Sequence, residues 1–423
     1  MNKYTRRAFV LGMAGAAGLH GLNHIAGSAL AQALKPGERY DLVIKGGEVI
    51  DPAQKLRARR DVAIRNAVIA ALEPDIPDNV AMQTLDARGK LVTPGLVDLH
   101  SHVYVLGSAI GLPADELAPQ TATTTYVSAG DAGANNFGAL KHHVAAAARS
   151  RIFAYVHISS IGLAGYPVNE MLNIDYASVE LAAKTVAENP EMVLGIKVRQ
   201  SLPIVGNNGL EPLKRAIVAA ERSGTKAGVM CHIGNVPGNL ADLLDLLRPG
   251  DVLTHAYTGA GNNTVQDGKV LPAALDAKRR GVVIDVGHGG GSFDYMVCEP
   301  AIQQGFGPDV ISSDIHAASV NTPGQPFMPW VMSKFLHLGY TLEEVIAMAT
   351  INPARLIGRV RGLGTLQVGA PGDVAVFDLV EGPVTFVDTR KNTRQGSRYL
   401  RPVHVVRAGR PFGRPYPLPF SYP

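Results

Sequence analysis

Pro94-Gly95-Leu96-Val97-Asp98-Leu99-His100-Ser101-His102 is a short apolar run that ends on two histidines one residue apart. Counted from Gly95, it is the first of eight such runs. Residues 95–100, 125–128, 153–157, 193–197, 227–232, 251–255, 282–288 and 309–314 end on His100, Ser128, His157, Lys197, His232, His255, His288 and Asp314. Helical stretches such as 210–223 and 240–247 lie between them. Continuous apolar runs suit parallel strands covered on both faces, because no side of such a strand meets water. Eight of them alternating with helices predict an α/β chain folded as a (β/α)8 barrel. Barrels of this kind gather their chemistry at the C-terminal strand ends, and the His, Lys and Asp residues fall there.

Outward from the repeat the texture changes. Residues 42–50 and 61–69 are β-rich runs joined by Gly and Asn turns, and similar runs return at 372–378, 384–387 and 403–409. Both ends of the chain therefore predict a small β-sandwich domain assembled from 32–93 and 359–423, around a barrel at 94–358. The last residues, Pro415 to Pro423, hold four prolines and read as an extended tail. At the other end, Thr5-Arg6-Arg7-Ala8-Phe9-Val10-Leu11 precedes a weakly apolar run broken by Gly12, Gly15, Gly18 and His20, and Ala29-Leu30-Ala31 offers a small-x-small cleavage site. Paired arginines before a mild apolar segment predict a twin-arginine export signal over 1–31, hence a periplasmic enzyme delivered by that machinery. The run is too short and glycine-rich for a stable membrane anchor.

Composition excludes several classes. With 423 residues, 46% hydrophobic, the chain has ample apolar content for a core, and two cysteines make neither a disulfide scaffold nor a Cys-rich zinc module. The formal charge is +4, but Lys3, Arg6 and Arg7 lie in the first 31 residues, which carry no acid, so the remainder is +1. That balance gives no support to a nucleic-acid partner.

The polar strand ends that can bind a metal are His100, His102, Lys197, His232, His255 and Asp314. Residues two apart on a strand share a face, so His100 and His102 both address the barrel mouth. Imidazoles with a carboxylate suit zinc or a similar divalent ion. A lone histidine at a strand end is usually capped or solvated, and His142, His143, His337 and His404 read that way. Cys231, one residue from His232, alternates toward the barrel wall and reads as packing.

The segment 94–102 resembles the first-strand motif of the amidohydrolase superfamily, and His232, His255 and Asp314 match its fifth-, sixth- and eighth-strand ligands in order. Lys197, in Gly195-Ile196-Lys197-Val198-Arg199, is similar to the fourth-strand lysine that becomes carboxylated in binuclear members. Together with Ser312-Ser313-Asp314-Ile315-His316, that phrase looks most like the dihydroorotase-like deacetylase branch, which hydrolyses N-acyl groups or acetyl esters of small carboxylic acids. The resemblance implies two divalent ions, zinc first among them. One would be held by His100, His102, carbamylated Lys197 and Asp314, and the other by the same carbamate with His232 and His255, with a hydroxide bridging the pair. An ammonium has no lone pair to give a metal, whereas a carbamate has two oxygens. Two dications less the carbamate, Asp314 and hydroxide leave about +1, which favours a small anionic substrate.

The mechanism implied is attack by the bridging hydroxide on an amide or ester carbonyl, with Asp314 as general acid/base. Arg199, Tyr104 and His288 are candidates to hold a substrate carboxylate or are structural; guanidinium matches a carboxylate best. The glycines at 287–291 suit a close backbone approach, but a phosphate loop would need Lys-Ser/Thr after them. A cyclic-amide hydrolase such as a dihydroorotase is the first alternative, though it would carry Arg at the place of Tyr104. A mononuclear deaminase would carry Glu where Asn235 stands. A non-catalytic scaffold is the alternative of another class.

Overall fold

The computed structural model describes residue 34 and residues 37–413. The export signal expected over 1–31 and the extended tail, 415–423, lie outside the described residues. Seven parallel strands run in sequence order around a curled sheet: Leu96–Ser101, Thr123–Gly133, Arg151–His157, Val193–Gln200, Gly228–Ile233, Val252–Thr254 and Val283–Ile284. The eighth pass, 310–315, is drawn in by two single parallel bridges, Asp285 with Val310 and Ser101 with Ile315. It shuts the barrel between the seventh strand and the first. Asp314 donates its backbone N–H to the His100 carbonyl at 2.7 Å, and His102 donates to Ile315 at 3.0 Å. This last pass is irregular because Asp314 itself has φ 47°, which no extended strand accommodates.

Side chains sort into two layers. Val127, Phe153, Tyr155, Met230, Val252 and Val310 come from strands all round the barrel and share one buried cluster, which places them inside it. Ile196, Val198, Val229, Cys231 and Ile284 pack outward with helix residues such as Leu213, Ala216 and Leu243. Cys231 thus sits in the wall, as alternation predicts. The helix Glu211–Arg222 buries Leu213, Ala216, Ala219 and Ala220, an i, i+3, i+4 stripe that fixes its rotation.

Strands from both ends of the chain form one second sheet. Its order is Arg410–Pro411, Thr393–Arg407, Val374–Val387, Leu91–Pro94, Leu42–Asp51, Leu56–Arg65, Val68–Glu73, with Thr84–Asp86 paired beside Leu42–Asp51. Leu91–Pro94 is the hinge of the arrangement: it lies antiparallel to Val374–Val387 and one residue, Gly95, before the first barrel strand. No helix among the described residues is long and apolar enough to cross a membrane.

Candidate metal centre

The first strand delivers His100 and His102 to the mouth of the barrel, and the fourth delivers Lys197 and Arg199. The fifth delivers His232; the turns after the sixth strand and the eighth pass deliver His255 and Asp314. Register explains the shared height: Arg199 pairs with His232, and His232 with Thr254. One ligand atom from each of His100, His102 and Asp314 falls within 4.8 Å of the others. Asp314 Oδ1 is 3.2 Å from His100 Nε2 and 3.0 Å from His102 Nε2. His255 Nε2 is 3.9 Å from Asp314 Oδ2, and its ring lies 4.2 Å from that of His232 and 4.9 Å from that of His100.

Outer partners orient these rings. His100 Nδ1–H donates to Thr254 Oγ1 at 2.7 Å, because the Thr254 hydroxyl proton is spent on Asp285 at 2.7 Å. His102 Nδ1–H donates to Asp131 at 2.8 Å, and His255 Nδ1–H to the Gly287 carbonyl at 2.6 Å. With each Nδ1 engaged as a donor, Nε2 is the nitrogen that faces the centre, and a cation there would take the place of the proton that Asp131 and Asp314 hold on His102. A metal-binding imidazole is set up in this way, so the donor set fits divalent ions. His232 Nε2 meets Ser201 Oγ at 3.1 Å.

Charge follows burial. Desolvation lowers Lys197 to about 8, against the pull of Asp314. It is 1% exposed, its Nζ lies 3.0 Å from His100 Nε2, and among the described residues it has no carboxylate within ion-pair distance. Burial pushes Asp98 up to about 7 and Asp285 to about 6. Asp98 accepts from the backbone and hydroxyl of Ser313, which ties the eighth pass to the first strand. His102 rises to about 9: burial pulls it down, and Asp131 and Asp314 on either side outweigh that pull.

Backbone strain concentrates here too. His255 has φ 65° and Asp314 φ 47°, left-handed conformations that a non-glycine residue holds at a cost of order 1–3 kcal/mol and chiefly at functional sites. Gly287 and Gly289, at φ 49° and 53°, pass beside them. A Cβ on Gly287 would sit 2.4 Å from Thr254 Oγ1, and one on Gly289 would sit 2.3 Å from Asp314 Oδ2. The glycine loop is therefore required by the ligands it skirts.

A cavity of about 380 Å³ opens over this centre. His100, His102, Lys197, Arg199, His232 and Asp314 reach it, and His316, Gly290, Gly291, Ser292, Ala318, Thr322, Ile110, Leu163 and Tyr166 complete its lining. Arg199 stands in its wall, with Nη1 3.1 Å from Glu170 Oε2. Against the upward push of burial, Arg199 and His157 hold the Glu170 carboxyl at about 2.

Two expected substrate contacts are not in the lining. Tyr104 donates its hydroxyl to the Asn136 carbonyl at 3.0 Å. His288 stacks on Phe293 with ring centroids 4.8 Å apart and accepts from Lys334 Nζ at 2.7 Å. Set between two left-handed glycines, it is swung away from the mouth. Conversely Asp131, Thr254, Asp285, Glu170 and His316 belong to the site beyond the residues the strand-end pattern picks out. For Thr254 and Asp285 the signal was a polar residue inside an apolar strand run; for Glu170 there was none.

This site carries the ligand types of a metal-dependent hydrolase on a (β/α)8 barrel, and the comparisons agree: the chain belongs to the amidohydrolase family, whose members use divalent metal to hydrolyse C–N bonds. Residues 307–412 match the amidohydrolase family profile Amidohydro_3. The deacetylase Atu3266 of Agrobacterium fabrum is 34% identical over 340 residues, 80% of this chain and 83% of that protein. A deacetylase of Brucella anthropi is 32% identical over 352 residues, covering 82% and 87%. A solved dihydroorotase superposes with a TM-score of 0.82 at 30% identity, covering 90% of this chain and 99% of that one.

Proposed function

We propose that this enzyme removes an acyl group from a small carboxylate-bearing substrate by hydrolysing an amide or ester bond. Two zinc ions would be held by His100, His102, His232, His255, Asp314 and a Lys197 carbamate. The observation that carries the reading is the convergence of the His100, His102 and Asp314 ligand atoms in a cavity that Arg199 also lines. Deacetylase is the name of both curated relatives above, and it supports acyl transfer to water over ring opening.

Divalent ions in such a set lower the pKa of water and polarise a carbonyl. The chain's own residues do the rest. Asp314 takes a proton from the attacking water and passes it to the departing nitrogen or oxygen, as its place between the two first-strand imidazoles allows. Arg199 receives the substrate carboxylate. Leu163, Tyr166 and Ile110 present an apolar wall that holds the rest of the substrate.

Purified protein loaded with zinc is expected to hold about two ions per chain and to release acid from N-acetyl-amino acids or acyl esters of hydroxy acids. No ions bound, or no turnover across both panels, would overturn the reading. The paired arginines further support export to the periplasm; cell fractionation should find the protein there, and cytoplasmic retention would argue against it.

A further inference from the structure

Glu170 stands in the segment between the third barrel strand and the helix Val179–Glu188. Its side chain is 2% exposed, although Val168, two residues earlier, is 71% exposed. A buried carboxylate needs compensation: Arg199 supplies it with hydrogen bonds, and the His157 ring lies alongside within ion-pair distance. Arg199 Nη1 donates to Oε2 at 3.1 Å and reaches Oε1 at 3.4 Å. His157 Nε2 lies 3.2 Å from Oε1. The His157 ring is itself set from behind, because the Ser159 backbone N–H donates to Nδ1 at 2.9 Å, which puts the ring proton on Nε2. Glu170 is thus a fixed negative post behind a single nitrogen of the guanidinium. Among the described residues the other donors of that guanidinium have no hydrogen-bond partner.

We infer that Glu170 is a positioning residue for substrate recognition: by pinning Nη1 of Arg199 it sets the remaining donors of the fork to receive the substrate carboxylate. The inference rests on the reading of Arg199 given above. A carboxylate beside an anion-binding arginine has two opposed effects. Its charge weakens the arginine's attraction for an anion, and its hydrogen bonds remove the rotamer freedom that the arginine would otherwise lose on binding. Burial decides between them. Held at 2% exposure with both oxygens engaged, Glu170 is built to fix geometry. The same segment brings Leu163 and Tyr166 to the cavity wall, so the pin also ties that wall to the fourth strand.

The two effects predict opposite signs. The probes are the N-acetyl-amino acid turned over fastest in the screen and its carboxamide, which has the same scissile bond without the carboxylate. The readout is the ratio of kcat/KM for the acid over that for the carboxamide. Glu170→Ala is expected to lower this ratio by about tenfold, the worth of a mis-set charge-assisted hydrogen bond, mainly through KM of the acid. Glu170→Gln keeps an acceptor for Nη1 and should restore most of the ratio. A merely structural role would depress both substrates together and leave the ratio unmoved; a role through charge alone would raise it in both variants. Either result overturns the inference. Should the Ala variant not fold, Glu170→Asp carries the test, since it keeps the charge but withdraws the carboxylate by one carbon and should also lower the ratio. Arg199→Met separates the two readings. If it lowers the ratio while Glu170→Ala does not, only the positioning role fails. If it leaves the ratio unmoved, Arg199 does not hold the carboxylate and both fail.

Discussion

Asp314→Asn is expected to lower kcat by ~10²–10⁴-fold, the range that one positioned acid–base group contributes, with KM much less changed. The substitution is nearly isosteric, so the strained backbone at φ 47° is kept, and Asn tolerates that conformation as Asp does. What changes is charge and basicity. Asp314 is the carboxylate that approaches both first-strand imidazoles, at 3.2 and 3.0 Å. Burial favours its protonated form, but the neighbouring histidines hold it well below the usual carboxylate range, so it is ionised at neutral pH. An amide oxygen can still approach a cation but cannot take that proton. Steady-state kinetics together with metal content separate the two roles. Retained metal with lost turnover places Asp314 in proton transfer, loss of both places it mainly in ligation, and a variant keeping more than about a tenth of wild-type kcat is incompatible with either.

Why this residue was legible from the chain, and Glu170 was not, has a physical basis. Strands covered on both faces are mostly apolar along their length, so a polar residue at the end of such a run stands out. His100, His102, Lys197, His232, His255 and Asp314 are all of that kind. The closure of the barrel was legible for the same reason, although its eighth pass is held by two bridges rather than a ladder. Glu170 lies in a connection whose course depends on tertiary contacts, and nothing in its neighbours sets it apart from a solvated acid. His288 shows the converse. It ends an apolar run like the others, but the left-handed glycines on either side redirect its side chain toward Phe293 and Lys334. Strand alternation does not carry through a backbone reversal of that sort. The Tyr104 hydroxyl is likewise spent, on a carbonyl.

Lys197→Ala should lose most bound metal and at least about 10-fold in kcat, since even an outer partner of a ligand is worth about 10–100-fold, and short carboxylates in excess should restore part of both. The argument begins from what an unmodified lysine would do in this place. Its Nζ lies 3.0 Å from His100 Nε2, where an ammonium would compete with any cation for the imidazole lone pair. No ion pair to it occurs among the described residues, and the pull of Asp314 and Asp285 does not overcome desolvation, so its burial is less offset than that of a structural lysine normally is. Desolvation brings it down to about 8, which raises the share of free amine. That amine can attack carbon dioxide, forming an N–C bond and releasing one proton, and the product is an anion in place of a cation. The sign of the pH effect follows: as pH rises through about 8 the ammonium gives way to amine, so chelated enzyme should regain activity faster in bicarbonate at pH above that value than below it. In the Ala variant, acetate or propionate can occupy the space left by the side chain and supply the two missing oxygens. A variant that keeps two ions per chain and full turnover, or wild-type reconstitution indifferent to both bicarbonate and pH, would remove the carbamate and leave Lys197 as a buried amine with no assigned work.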